Sequence, residues 1–136
     1  MDVIEALEFI RTNSQSVLAT TRADGRPQLS PVNVVVDDAG RVVLSSRRTA
    51  VKVKNLRRTP YASVCVMTQA FYGDWCQVEG PVTITDLPDA MDGLVDYYRK
   101  ASGEHPDWDD YRAAMVRDQR VLVVIDVQRA GPSISG

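Results

Sequence analysis

The sequence predicts a mainly β protein with some α, built as an antiparallel barrel of about six strands with helices packed outside it. Three observations carry this. Short β-prone runs recur at hairpin spacing, helical periodicity is confined to the start, the middle and the stretch before the last strand, and the alternating strand-helix order of a parallel sheet is absent. The 136 residues, 44% hydrophobic and 25% charged, match one ordinary globular domain spanning 1–136, without repeats, low-complexity tracts or linkers.

The chain opens with apolar residues at helical spacing, Val3-Ile4, Leu7 and Phe9-Ile10, which predict one buried stripe on a helix ending near Asn13. Ser16 to Thr21 is β-prone, Asp24-Gly25 marks a tight hairpin, and a strand resumes near Gln28. Ser30 to Val36 is Val-rich, with Pro31 marking an edge, a bulge or an interruption that faces a ligand. Asp37-Asp38-Ala39-Gly40 turns the chain into a strand from Arg41 to Ser45. Thr49 reads as the N-cap of a helix from Ala50 to Arg58, with Val53 and Leu56 on its buried face and Pro60 stopping it. Strands follow at Tyr61–Thr68 and Trp75–Thr85, the second bent or interrupted at Gly80-Pro81. Pro88 in a first turn opens a helix from Asp89 to Ala101 that Gly103 ends, a second helical stretch runs from Pro106 to Val116, and Arg120 to Val127 closes as a buried strand. The tail from Arg129 to Gly136 reads as loose.

No apolar run reaches the roughly 20 residues that span a bilayer, and the first residues are acidic where a signal peptide is basic, so a cytoplasmic protein without a membrane partner is expected. Cys65 and Cys76 lie in strand-like segments and read as reduced, buried thiols. His105, the only histidine, sits in a loop without a nearby nucleophile, which argues against a hydrolytic triad. No metal pattern is present: Asp107, Asp109 and Asp110 lack the spacing of a calcium loop and read as a solvated helix start. Neither a dinucleotide fingerprint nor a P-loop occurs.

The net charge of −2 and pI near 5.3 argue against nucleic acid as a partner. The charge is unevenly placed. Residues 41–73 contain no acid and seven cations: Arg41, Arg47, Arg48, Lys52, Lys54, Arg57 and Arg58. A helix N-terminus is already positive, so Arg47 and Arg48 before it and Lys52 in its first turn repel it unless an anion binds there. Thr49 hydroxyl, the first-turn amides from Ala50, and Lys52 can together hold a phosphate, with Arg47 or Arg48 adding a planar fork. A solvated basic surface is the competing reading. In the segment 28–33, Ser30, Pro31 and Val32 offer backbone groups freed by the proline to a flat heterocycle, or form an ordinary edge strand. Trp75 and Tyr72 either cover an aromatic ring or belong to core or interface.

These residues resemble the pyridoxamine 5′-phosphate oxidase-like split-barrel proteins, most closely the actinobacterial branch that binds coenzyme F420. The resemblance spans nearly the whole chain. Val17-Leu18-Ala19-Thr20 with Asp24 to Val32 is similar to the family's first hairpin, Lys52 to Pro60 to its phosphate-binding helix, and Gly103 to Trp108 with Asp110-Tyr111 to the late helical stretch of the F420 branch. The resemblance implies an FMN-binding type of split barrel and a homodimer with two equivalent cofactor sites at its interface. It further implies that Lys52 holds phosphate, that Ser30, Pro31 and Val32 run along the ring system, that Ser45 and Arg47 border the phosphate or tail, and that residues near Trp75 arrive from the other subunit. The family often carries an arginine where Ala50 stands and an aspartate at Thr59, with Arg47 or Arg48 as substitutes for the missing arginine.

The activity so implied is an F420H2-dependent reduction of a conjugated double bond in a small, planar, hydrophobic substrate. An FMN enzyme of the same fold, either a pyridoxal-type oxidase or a flavin reductase, is the alternative, and a carrier or sensor of F420, FMN or haem breakdown products without turnover is a third. The basic run and the late segment favour the first reading, and the position of His105 in a loop disfavours haem. No residue is selected as catalytic: the proton can come from solvent, Tyr72 or a cofactor group.

Overall fold

The computed structural model describes residues 1–131. Helix α1 (Val3–Thr12) leads into β1 (Gln15–Thr21), β2 (Pro27–Asn33), β3 (Val35–Val36) and β4 (Val42–Arg47). Helix α2 (Val51–Arg58) then precedes β5 (Tyr61–Met67) and β6 (Trp75–Thr85), and α3 (Met91–Ser102) and α4 (Trp108–Arg117) precede β7 (Arg120–Ile125) and β8 (Arg129–Ala130).

All pairings are antiparallel, in the order β2-β1-β5-β6-β7-β4-β3, with β8 added to β6. β6 serves both halves of this curled sheet: its residues 75–81 pair with β5, and 82–85 pair with β7. The bend expected at Gly80-Pro81 falls between the two pairings. There Asp126 N–H donates to Pro81 O at 2.9 Å, and a Cβ on Gly80 would collide with the Asp126 carbonyl, so only glycine lets the two chains approach. β2 and β3 are the two ends of the ladder, separated only by Val34, whose N–H donates to Ser14 O at 3.1 Å. The barrel is therefore split rather than hydrogen-bonded all round.

One main core fills the inner side, from Leu18, Leu44, Val64, Val66, Val78 and Val123 on the strands to Ala6 and Ile10 of α1 and Val53 and Leu56 of α2. α1 and α2 thus face into the curled sheet, while α3 covers a smaller cluster of Val35, Val43 and Val124 on the other face of the β3-β4-β7 half, with Tyr97 packed against it. Among the described residues no helix is long and apolar enough to cross a membrane.

Several expectations are corrected. Ile4 is not on the buried stripe but 74% exposed, because Ala6 and Ile10 take the inward positions of α1. Ala50, not Thr49, is the N-cap of α2, with extended backbone and no side-chain cap bond. Pro88 lies in the turn before α3, which begins only at Met91, where Ala90 is the cap. α4 starts at Trp108 because Asp107 caps it, its carboxylate accepting from Asp110 N–H at 3.1 Å. The tail is not loose from Arg129: Arg129 and Ala130 pair with Glu79 and Val78, while 132–136 lie outside the described residues.

Candidate functional site

The chain leaves β4 at Arg47, turns through Arg48 and Thr49, and enters α2. Ala50 N–H donates back to Arg47 O at 3.0 Å, and Arg48 N–H donates to Gln119 O at 2.9 Å, which ties this turn to the one before β7. No acid lies in the first turn of α2 and no side chain caps it, so its leading amides stay free for an external acceptor. Around this end, Arg47, Arg48, Lys52 and Lys54 form no ion pair among the described residues. The other cations of the basic run are engaged: Arg41 with Asp37 at 2.9 Å, Arg57 with Asp86 at 2.6 Å, and Arg58 with Asn55 Oδ1 and Thr21 O at 2.8 and 3.1 Å.

Asn55, one turn after Lys52, is buried and donates through Nδ2 to Thr20 Oγ1 at 3.1 Å. That bond fastens α2 to β1, whose partner β2 sets Gln28 opposite Thr20, Ser30 opposite Leu18 and Val32 opposite Ser16. Opposed residues share a face, so Ser30 and Val32 point to the inner side, as Leu18 does, and Pro31 points outward with Val17. Ser30 Oγ is buried without a hydrogen-bond partner among the described residues. Pro31 is on an edge strand, one of the three readings that its position in sequence offers.

The remaining expected residues fall on other faces. Ser45 and Arg47 share the side of β4 that carries Val43, beneath α3, whereas Ser46 points to the core and is buried. Trp75 faces outward beside Met67, its partner on β5. Within one chain, the structure brings Arg47, Arg48, Thr49, Ala50 and Lys52 into one turn and joins them through Asn55 to the sheet that holds Ser30 and Val32. Ser45 and Trp75 are not part of that grouping. Three open clefts, the largest of them about 380 Å³ between α1 and β3, are lined by none of these residues.

Two residues near the site carry no individual role in the sequence reading. Asn55 is a polar residue on the same buried face as Leu56, a signal visible in the helical period; Arg120, half-buried with an unpartnered Nε, depends on a strand register that local sequence does not encode. Arg120 also acts on the half-buried Tyr97 and the buried Tyr111 nearby. Burial, with smaller contributions from Tyr97 and Tyr98, pushes the Tyr111 hydroxyl up to about 12, and Arg120 opposes the shift. Burial likewise raises Cys76 to about 11, which keeps that thiol protonated and unreactive at neutral pH. Both cysteines are free, and no cluster of metal ligands exists among the described residues.

Comparison with known proteins agrees with this architecture. A solved structure of Rv2991 from Mycobacterium tuberculosis, a conserved hypothetical protein, superposes with a TM-score of 0.76 at 25% identity, over 100% of this chain and 93% of that one. An F420 reductase matches with a TM-score of 0.69 at 18% identity, over 91% of this chain and 94% of its own. A heme binding protein from Mycobacterium smegmatis matches with a TM-score of 0.63 at 19% identity, over 92% of this chain but 52% of that longer one. The last two show the shared fold. The sequence profile described as pyridoxamine 5′-phosphate oxidase matches residues 3–132. With nearly its whole length matched to that profile and the curled antiparallel sheet in place, the chain belongs to the pyridoxamine 5′-phosphate oxidase family.

Proposed function

We propose that this chain is a cytoplasmic, homodimeric oxidoreductase, one domain over 1–136, that uses reduced coenzyme F420 to deliver hydride to a conjugated double bond of a small, planar, hydrophobic substrate. The observation that carries the reading is the uncapped N-terminus of α2, surrounded by Arg47, Arg48, Lys52 and Lys54 without an ion-paired counter-charge among the described residues. Such an end is stable when an anion sits on it, and a cofactor with a phosphodiester and an acidic tail offers more anionic groups to this run of cations than a single phosphate does.

The residues present fit such a cofactor. Lys52 and the amides of Val51 and Lys52 would take the phosphate, with Arg48 in place of the arginine that Ala50 displaces. Ser30 Oγ, buried and unpartnered, gains the hydrogen bond it lacks, and the edge strand β2 offers its free backbone to the ring edge. When bound, the deazaflavin supplies the hydride chemistry itself. The chain's own task is to orient the ring, keep water from it and leave one face open to substrate.

The dimer completes the site. Register places on one outward face Asn33, Pro31, Leu29 and Pro27 of β2, Gln15, Val17, Ala19 and Thr21 of β1, Tyr61, Ser63, Cys65 and Met67 of β5, and Trp75, Gln77, Glu79 and Pro81 of β6. Glu79 is the one charged residue among them, and the helices that touch these strands do so from the inner side. A second copy covering this face brings its Trp75 to the first protomer's cofactor.

The FMN-dependent reading is favoured by one observation, the description of the matching family itself. Titration of the apo-protein with F420 and with FMN, followed by quenching of cofactor fluorescence, separates the two. Micromolar or tighter F420 binding with much weaker FMN binding supports the proposal, and the reverse order moves the chain to the flavin oxidases. Lys52→Ala is expected to weaken the preferred cofactor by about 1.5–3 kcal/mol, the scale of a charge-assisted hydrogen bond; unchanged affinity removes Lys52 from the site.

A further inference from the structure

At the end of the β4-β7 ladder, Arg47 stands directly opposite Arg120. Opposed side chains on one face start about 5 Å apart, and like charges so placed destabilise the pair. Neither guanidinium has a carboxylate in ion-pairing range among the described residues, although Asp118 is only two positions from Arg120. Arg47 is exposed and free to swing away, but Arg120 is half-buried and its Nε is shut off from solvent with no acceptor among the described residues. A buried donor without a partner is costly, and native structures tolerate few of them.

The local backbone holds this arrangement rather than relieving it. Gln119 adopts a left-handed conformation, φ +52°, immediately before Arg120, and its carbonyl accepts from Arg48 N–H at 2.9 Å. For a residue other than glycine that conformation is uncommon, and here it fastens the Arg47 turn to the Arg120 strand. Ser45, next on the same face of β4, places a hydroxyl beside the two arginines. Two forked donors, a hydroxyl and no acid form an arrangement that becomes favourable when oxygens of an anion lie between the guanidinium groups.

We propose that Arg47 and Arg120 form a two-arginine clamp for a multiply charged carboxylate- or phosphate-bearing anion. The clamp lies on the face of β4 that carries Ser45, away from the core side on which α2 packs, so it stands whether or not F420 is the cofactor. Two sources share the chemistry, the acidic tail of the bound cofactor and a free small anion.

The probe is citrate, titrated calorimetrically into cofactor-free protein, with thermal unfolding in parallel. Citrate is expected to bind wild type and Lys52→Gln alike and to raise their Tm, and to bind Arg47→Gln and Arg120→Gln at least about tenfold more weakly. In low-salt buffer free of polyvalent anions, Arg47→Gln is expected to melt above wild type, because the repulsion is gone and nothing has been lost. A merely structural arginine gives the opposite sign. Wild-type protein that ignores millimolar citrate, or an Arg47→Gln variant that binds it normally, overturns the clamp; Arg47 is exposed, so this variant keeps the test valid even where Arg120→Gln fails to fold. Competition between citrate and F420 identifies the cofactor's own tail as the occupant, and simultaneous binding identifies a separate ligand; both results require the clamp. Failure of F420 to bind sinks the cofactor assignment and leaves the citrate arm intact.

Discussion

Tyr111 of α4 is buried, and its hydroxyl donates to Leu94 O of α3 at 2.7 Å, in a group of rings with Tyr98, His105 and Trp108 whose centroids lie 5.0–5.8 Å apart. An unfolded tyrosine ionises near pH 10, and the folded one only near 12. The neutral hydroxyl is thus favoured by the fold: its contribution is complete below pH 10 and is lost as the pH rises from about 10 to 12. Tyr111→Phe is expected to be less stable near neutrality by about 1 kcal/mol, the worth of a hydrogen bond, and to show a flatter decline between pH 10 and 12 in urea unfolding. Equal slopes for the two proteins exclude Tyr111 as the titrating group. Side-chain roles of this sort were only half legible in sequence. The sequence marks Tyr111 and His105 only as members of a motif, because their mutual packing depends on a loop geometry that Asp107 N–H sets by donating to His105 Nδ1 at 2.9 Å.

The strands were legible as elements because alternation survives at β1 and β5, where every second residue is buried. Helix starts were less so, since Ala50 and Ala90 act as caps without side-chain bonds and leave no signature for sequence to carry. The short strand β8 was hidden because two residues paired with β6 have no period. Two glycines separate local from tertiary requirements at this scale. Gly25 turns the β1-β2 hairpin at φ +87° with open space around its Cβ position, so Gly25→Ala is expected to cost about 1 kcal/mol through backbone strain alone. Gly80 faces the Asp126 backbone, which cannot move without breaking the 2.9 Å bond from Asp126 N–H to Pro81 O. Gly80→Ala is expected to cost about 3 kcal/mol or more, as overpacking against backbone does. Denaturant unfolding of both variants decides the matter: similar losses would mean that β6 yields at its bend.

For the whole molecule, the outward face of β2, β1, β5 and β6 is the feature that alternation reveals without saying what covers it. Alternation in sequence marks one buried face on each strand, yet the register that assembles Val17, Ala19, Leu29 and Cys65 into one surface is nonlocal. Leu29 is 60% exposed in the single chain, and its row continues through Ala19 and Ser63 to Glu79. A specific interface needs about 800 Å² from each partner; four strands of six or seven residues supply roughly half of that from one face, and the exposed Phe71-Tyr72 hairpin tip beyond Trp75, 76% and 96% accessible, extends it. Val17→Lys puts a charge at the middle of this face without touching the inner core, so it is expected to leave the fold intact and convert a dimer to a monomer in analytical ultracentrifugation. Because Trp75 would reach the cofactor only from the second copy, the same substitution is expected to weaken cofactor binding at least about tenfold, with Lys52 and α2 untouched. A Val17→Lys protein that stays dimeric moves the interface elsewhere. One that is monomeric and still binds the cofactor as tightly as wild type shows that a single curled sheet, with its uncapped helix and its free edge strand, is a sufficient site.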